Sequence, residues 1–182
     1  MHVAAQAVGV VLLADLVSGT VHWAEDTFGS EKTPLIGEWV IKPNLDHHRD
    51  AGAFVHKSWL QSSGDLAVAG AALICMAAWQ GLLTWHVWLF TLISVNANQI
   101  HKWNHMRPVE VPWPVQLLQK LHLLQSRRHH LEHHRGEKDR NYCVITNFVN
   151  PVFDGLRLWR VMERVLAPVL GEPRSSQRSL RY

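Results

Sequence analysis

LAVAGAALICMAAWQGLLTWHVWLFTLISVNANQIH (66–101) runs 36 residues without a Lys, Arg, Asp or Glu. As one helix, at 1.5 Å per residue, it would extend about 54 Å against a hydrocarbon core of about 30 Å. The stretch therefore reads as a helical hairpin turning at QGLLT (80–84), with arms over about 66–80 and 83–103 and Asp65 as the cap of the first. Upstream, VAAQAVGVVLLADLVSGTVHW (3–23) has the length of a further span. It lacks a basic leader and a small-residue cleavage site, which favours a retained span over a signal peptide. Asp15 inside it would cost about 2.5–3.5 kcal/mol at mid-bilayer and is expected to face other helices. Mean hydropathy is −0.07 because apolar spans are averaged with very polar stretches. The alternative is the buried helices of a soluble protein.

The rest of the chain is polar, and punctuated by Gly and Pro through 24–65. Pro108, Pro112 and Pro114 break the chain after the hairpin. A helical pattern resumes over 115–135 and ends at Gly136, and a last basic amphipathic helix is expected from Asn150–Pro151. In it Val152, Leu156, Trp159 and Leu166 lie along one side, with Arg157, Arg160 and Arg164 on another. The whole reads as one all-α domain over 1–170, an integral-membrane helical bundle, with a disordered tail at 171–182. All 18 Lys and Arg lie at Lys32 or beyond and outside the hairpin. The positive-inside rule then puts 24–65 and 102–140 together on the cytoplasmic side. Cys75 and Cys143 form no paired motif, which excludes a disulfide scaffold or cysteine metal site.

Of 13 histidines, only His86 falls on the far side, leaving aside the terminal His2. The others come from sequence-distant blocks and converge on one face. HKWNH places His101 and His105 on one helical face, and in HHLEHH the pairs His129/His133 and His130/His134 do the same, with His122 two turns back. DHHRD adds His47 and His48, and VHWAED adds His22. Neutral imidazole is the commonest metal ligand. A metal also offsets the repulsion expected beside Arg127, Arg128 and Arg135. A single zinc needs about four ligands, fewer than converge here. HExxH is absent, since Lys102 stands where its Glu belongs, and no Glu has a His three residues on, which excludes the soluble di-iron carboxylate pattern. A histidine-rich two-metal site remains, and imidazole suits iron.

HKWNH and HLEHH resemble the histidine boxes of integral-membrane fatty-acid desaturases and hydroxylases. VHWAEDTFGS, DHHRDAGAFVHKSW, NQIHKWNH and RRHHLEHHRGEKDRNYCVITNFVNP, in that order, resemble the Kua family over about residues 15–165. That family includes plasmanylethanolamine desaturase and plastid desaturases of a phosphatidylglycerol acyl chain. The proline expected after HHRD is Ala51 here.

The resemblance implies an O2-dependent di-iron lipid desaturase with a cytoplasmic histidine-rich cap and two Fe ions. Carried over box by box, it makes His101, His105, His130, His133 and His134 iron ligands, followed by His47, His48 and His22. His122 and His129 stand as a ninth ligand or as supports of the ligands, and His56 falls on a family histidine. Asp26 and Asp50 are expected to orient ligand imidazoles through their free N–H groups, or else to cap helices. The implied partners are a membrane phospholipid, O2 and an electron donor such as a cytochrome b5-like protein or ferredoxin. No nucleic acid is implied. Conversion of an alkyl-ether (plasmanyl) phospholipid to a vinyl-ether plasmalogen is the leading function. An acyl-chain desaturase or hydroxylase, a membrane metal carrier and a non-catalytic localisation module are the alternatives.

Overall fold

The protein is all helical among the described residues, which in this computed structural model are 2–135 and 139–174. The expectations for Gly136 and for the tail from 175 onward lie outside them. The helices are α1 (His2–Thr27), α2 (Lys42–His47), α3 (Ala51–Val55), α4 (Trp59–Trp79), α5 (Trp85–Val95), α6 (Ala97–His105), α7 (Trp113–Lys120), α8 (Arg127–His133), α9 (Val149–Gly155) and α10 (Leu158–Leu170).

α1 and α4 are long and apolar enough to cross a membrane, and only 17% and 22% of their apolar windows are buried. The core helix of a soluble domain would be mostly buried. Here Val3, Val8, Val68, Met76 and Trp79 stay exposed, as suits a flank against lipid. The hairpin turns at Gln80–Thr84, where Gly81 takes a φ of +68° that favours glycine. Its arms close tightly at Gly70, where an added Cβ would lie 2.6 Å from Val95 Cγ2.

Four helix boundaries differ from expectation, each for a local or tertiary reason. The first arm starts at Trp59 with Ser58, not Asp65, as its cap. Ser58 Oγ accepts the Gln61 N–H, and the Gln61 side chain accepts the Ser58 N–H, a reciprocal capping box. The second arm breaks at Asn96 into α5 and α6, because the Asn96 amide donates back to the Leu92 carbonyl and accepts the Trp59 indole N–H. The 115–135 pattern splits into α7 and α8 around a turn in which His122 has a φ of +59°. The last helix divides at Arg157, φ +53°. Asn150 is not its cap but sits inside α9, where its amide bridges the N–H and C=O of Cys143.

The core forms where the non-helical segment 141–148 lies against α1. Ala14, Ala97, Ile100, Val144 and Ile145 make one cluster, and Trp23, Tyr142, Cys143 and Trp159 another. Gly19 makes the approach possible, since a Cβ there would fall 2.3 Å from Cys143 Sγ and 2.9 Å from its backbone N. The fully buried Asp15 faces this segment rather than another helix. Its carboxylate accepts the N–H groups of Ile145 (2.9 Å) and Thr146 (3.1 Å) and the Thr146 hydroxyl (2.5 Å). A buried irregular backbone needs such partners, and Asp15 supplies them from within the first span.

Candidate metal centre

Eight of the eleven histidines singled out in the sequence meet in one place, drawn from α1, α2, α6 and α8 and the residues that follow α2 and α8. Their ring nitrogens form two adjoining groups. His47, His101, His105 and His134 make one, and His22, His48 and His133, joined by the Asp26 carboxylate, make the other. His130 bridges into the first, its Nε2 lying 2.9 Å from His105 Nε2 and 3.1 Å from His134 Nε2. Successive side chains on a helix diverge by about 100°. Each adjacent pair, His47/His48 and His133/His134, is therefore divided between the two groups, whose rings remain 4.2 Å and 5.4 Å apart across the division.

The residues fit a cation in both places. His22 Nδ1 donates to the Tyr142 carbonyl (2.9 Å) and His133 Nδ1 to the Arg140 carbonyl (2.6 Å). In a neutral ring, spending the Nδ1 proton this way leaves a lone pair on Nε2. Those lone pairs point at the Asp26 Oδ2 acceptor from 3.5 and 3.2 Å. Acceptors face each other, and a shared cation satisfies both. In the other group, His101 and His105 hold their Nε2 atoms 3.2 Å apart. Nitrogens bound side by side to one ion at about 2.1 Å would be about 3.0–3.4 Å apart. His47 Nε2 and His130 Nδ1 are buried without a hydrogen-bond partner.

Electrostatics keep these rings in the ligating form. Burial, reinforced by the neighbouring imidazoles and Arg127, pushes His105 down to about 4. Burial first, then imidazole crowding, also lowers His47, His130 and His134. Each is neutral near pH 7, with a lone pair to give.

Asp26, expected to orient ligand imidazoles, lies against three of them. Its carboxylate stands among the ring nitrogens, with His48 Nε2 at 3.0 Å and the Asn44 amide donating at 2.7 Å. The signal was present in HWAED: Asp26 follows His22 by four residues, on the same helical face. Asp50 Oδ1 accepts the Ala53 N–H and caps α3. His122 is exposed, with Nδ1 2.9 Å from the Asn147 amide, and His129 is half-buried against Asn150 at 3.1 Å. His56 is exposed at the end of α3. None of the three joins either group.

A cavity of about 170 Å³ opens beside the centre, with His22, His47 and His101 in its lining. Val17, Val21, Leu66 and Val144 give it apolar walls, and Glu25, Lys57 and Asp65 add charge. It offers one apolar chain with a polar end access to both groups.

The lipid desaturase domain family matches residues 11–176. Mouse plasmanylethanolamine desaturase 1 is 30% identical over 173 residues, covering 88% of this chain and 64% of that protein. Fatty acid desaturase 4-like 2, chloroplastic, of Arabidopsis thaliana is 35% identical over 169 residues, with 90% and 60% covered. The plasmanylethanolamine desaturase of Myxococcus xanthus is 32% identical over 167 residues, with 88% and 59% covered. The chain thus spans about three fifths of the length of these relatives. No solved structure is similar to it.

Proposed function

This chain belongs to the lipid desaturase family, and we propose that it is an O2-dependent di-iron enzyme that converts an alkyl-ether phospholipid to its vinyl ether. The observation carrying this reading is the pair of adjoining four-residue ligand groups beside an apolar cavity. His47, His101, His105 and His134, with His130 beside them, would hold one ion; His22, Asp26, His48 and His133 would hold the other. Two irons held there by these residues would supply the oxidising chemistry, O2 activation with removal of two hydrogens from neighbouring carbons. An external donor delivers two electrons, and two protons accompany them, so that O2 leaves as two waters. That donor would be of the cytochrome b5 or ferredoxin kind.

The chain's own residues do the positioning. The Tyr142 and Arg140 carbonyls fix the tautomers and orientations of His22 and His133. Val17, Val21, Leu66 and Val144 hold the lipid chain and exclude water. The positive-inside rule, applied to the Lys- and Arg-bearing regions, supports a centre at the cytoplasmic end of the spans.

The test supplies an alkyl-ether phospholipid to cells expressing the chain and measures acid-released aldehyde. Replacing His101 or His133 with Ala is expected to abolish the signal, and undiminished product in either variant overturns the ligand set. The 35% identity to a chloroplast fatty acid desaturase supports a second reading, acyl-chain desaturation. An acid-stable double bond in place of released aldehyde selects it.

A further inference from the structure

Beyond the ligand groups lies a second set of residues able to carry redox chemistry. The Tyr142 ring is 5.0 Å from that of His133 and 5.8 Å from that of His22. Trp159, on α10, is 5.2 Å from Tyr142, and it stacks on Trp23 at 5.9 Å. Tyr142, Trp159 and Trp23 are each at most 3% exposed. An unbroken series of ring contacts therefore leads from a ligand imidazole through Tyr142 to Trp159.

Core packing alone would explain the contacts, and a buried indole N–H ordinarily finds some hydrogen-bond partner, but here that partner is a carboxylate. The Trp159 indole N–H donates to Asp154 Oδ1 at 3.1 Å. The same carboxylate accepts the Asn141 N–H, which holds it in place. Indole is among the side chains most readily oxidised by one electron, and its radical cation is far more acidic than the neutral ring. Oxidation near pH 7 is favoured where a base waits on the N–H. Trp23 provides the contrast, since its Nε1 is buried with no partner and has nowhere to send a proton.

Resting on the di-iron reading, we infer that Trp159 is a proton-coupled one-electron donor to the metal centre through Tyr142. One electron leaves the indole for the oxidised iron pair, the N–H bond breaks, and the proton passes to Asp154 Oδ1. A neutral indolyl radical and a carboxylic acid result. The external reductant later returns the electron, and Asp154 returns the proton. The relay drains the oxidising power of a centre that has reacted with O2 while the cavity holds no lipid, and so spares the ligand histidines.

The full chain, in detergent micelles free of phospholipid and loaded with Fe(II), is exposed to O2, freeze-quenched for electron paramagnetic resonance and then mapped for oxidised residues by mass spectrometry. Expected is a neutral indolyl radical, with oxidation at buried Trp159 exceeding that at Trp39 and Trp113, which are 80% and 75% exposed. Trp159→Phe should lower the radical yield at least fivefold, keep its iron and increase oxidation of the histidines severalfold. Asp154→Asn, which preserves the packing, should lose the neutral radical. Oxidation confined to exposed tryptophans, or an unchanged radical in Asp154→Asn, overturns the relay. Iron content is measured first: a chain that takes up no iron refutes the di-iron reading, whereas one that binds two irons and leaves Trp159 untouched refutes the relay alone.

Discussion

Replacing Asp26 with Asn should empty one metal position and leave the other filled. The carboxylate is the one anionic member of its group, and its Oδ2 lies 3.0, 3.2 and 3.5 Å from the Nε2 atoms of His48, His133 and His22. The amide is nearly isosteric, so the rings keep their packing, but a full negative charge is gone. Unit charges about 3 Å apart interact by about 5 kcal/mol even at an effective dielectric of about 20. Relaxation and hydration offset much of that attraction. We therefore expect affinity for the second ion to fall at least about 10–100-fold, or roughly 1.4–2.7 kcal/mol, the range seen when an outer partner of a ligand is lost. The group of His47, His101, His105 and His134 contains no carboxylate and should bind as before. Anaerobic Fe(II) titration followed by metal analysis reads this directly, with stoichiometry falling from two toward one at free iron that just saturates the wild type. Asp50→Asn is the control, since that side chain caps α3. Its loss should cost about 1 kcal/mol of stability or less and leave both ions bound. Wild-type affinity for two ions in Asp26→Asn would refute the placing of this carboxylate among the ligands.

Further outcomes follow from the same geometry. The metal-free protein should lose stability on acidification. His105 is held near 4 by burial, below its ordinary value of about 6.5, so its contribution is present above about pH 6.5 and lost as pH falls toward 4, by about 3 kcal/mol for this ring alone; a melting temperature independent of pH across that window would contradict it. Asp15→Ala strands the N–H groups of Ile145 and Thr146 and should cost about 2–6 kcal/mol, read from denaturation in detergent. Gly19→Ala forces a methyl onto Cys143 and should destabilise by about 1–3 kcal/mol or more, while weakening metal binding through the displaced Tyr142 carbonyl. Alanine at His122 or His56 should leave iron content unchanged, because both rings are exposed and stand outside the two groups.

Much of this molecule can be read from its sequence, and the remainder depends on long-range contacts. A gap in charge over 66–101 marks the hairpin, because an uncharged segment nearly twice the bilayer's thickness has to turn back. Four-residue spacing puts His101 with His105 and His130 with His134, because that spacing is a property of the helix itself. Helix breaks are less legible. Asn96 stops α5 in part because the indole of Trp59, 37 residues away, engages its side chain. The segment 141–148 forms no helix, yet Tyr142, Cys143, Val144 and Ile145 are buried in the core. Asp15 and Gln125, from other parts of the chain, and Asn150, from the adjoining α9, satisfy its backbone. Asp26 shows the remaining gap: its spacing from His22 is visible, but whether a carboxylate stands behind imidazoles or among them depends on how α2 and α8 meet α1.

The central claim is that the two groups hold two irons side by side. Anomalous diffraction at the iron edge from crystals of the iron-loaded protein tests it most directly. The account predicts two peaks, one among His47, His101, His105 and His134 and the other among His22, Asp26, His48 and His133. A single peak, or iron bound elsewhere with these rings left apart, would contradict it.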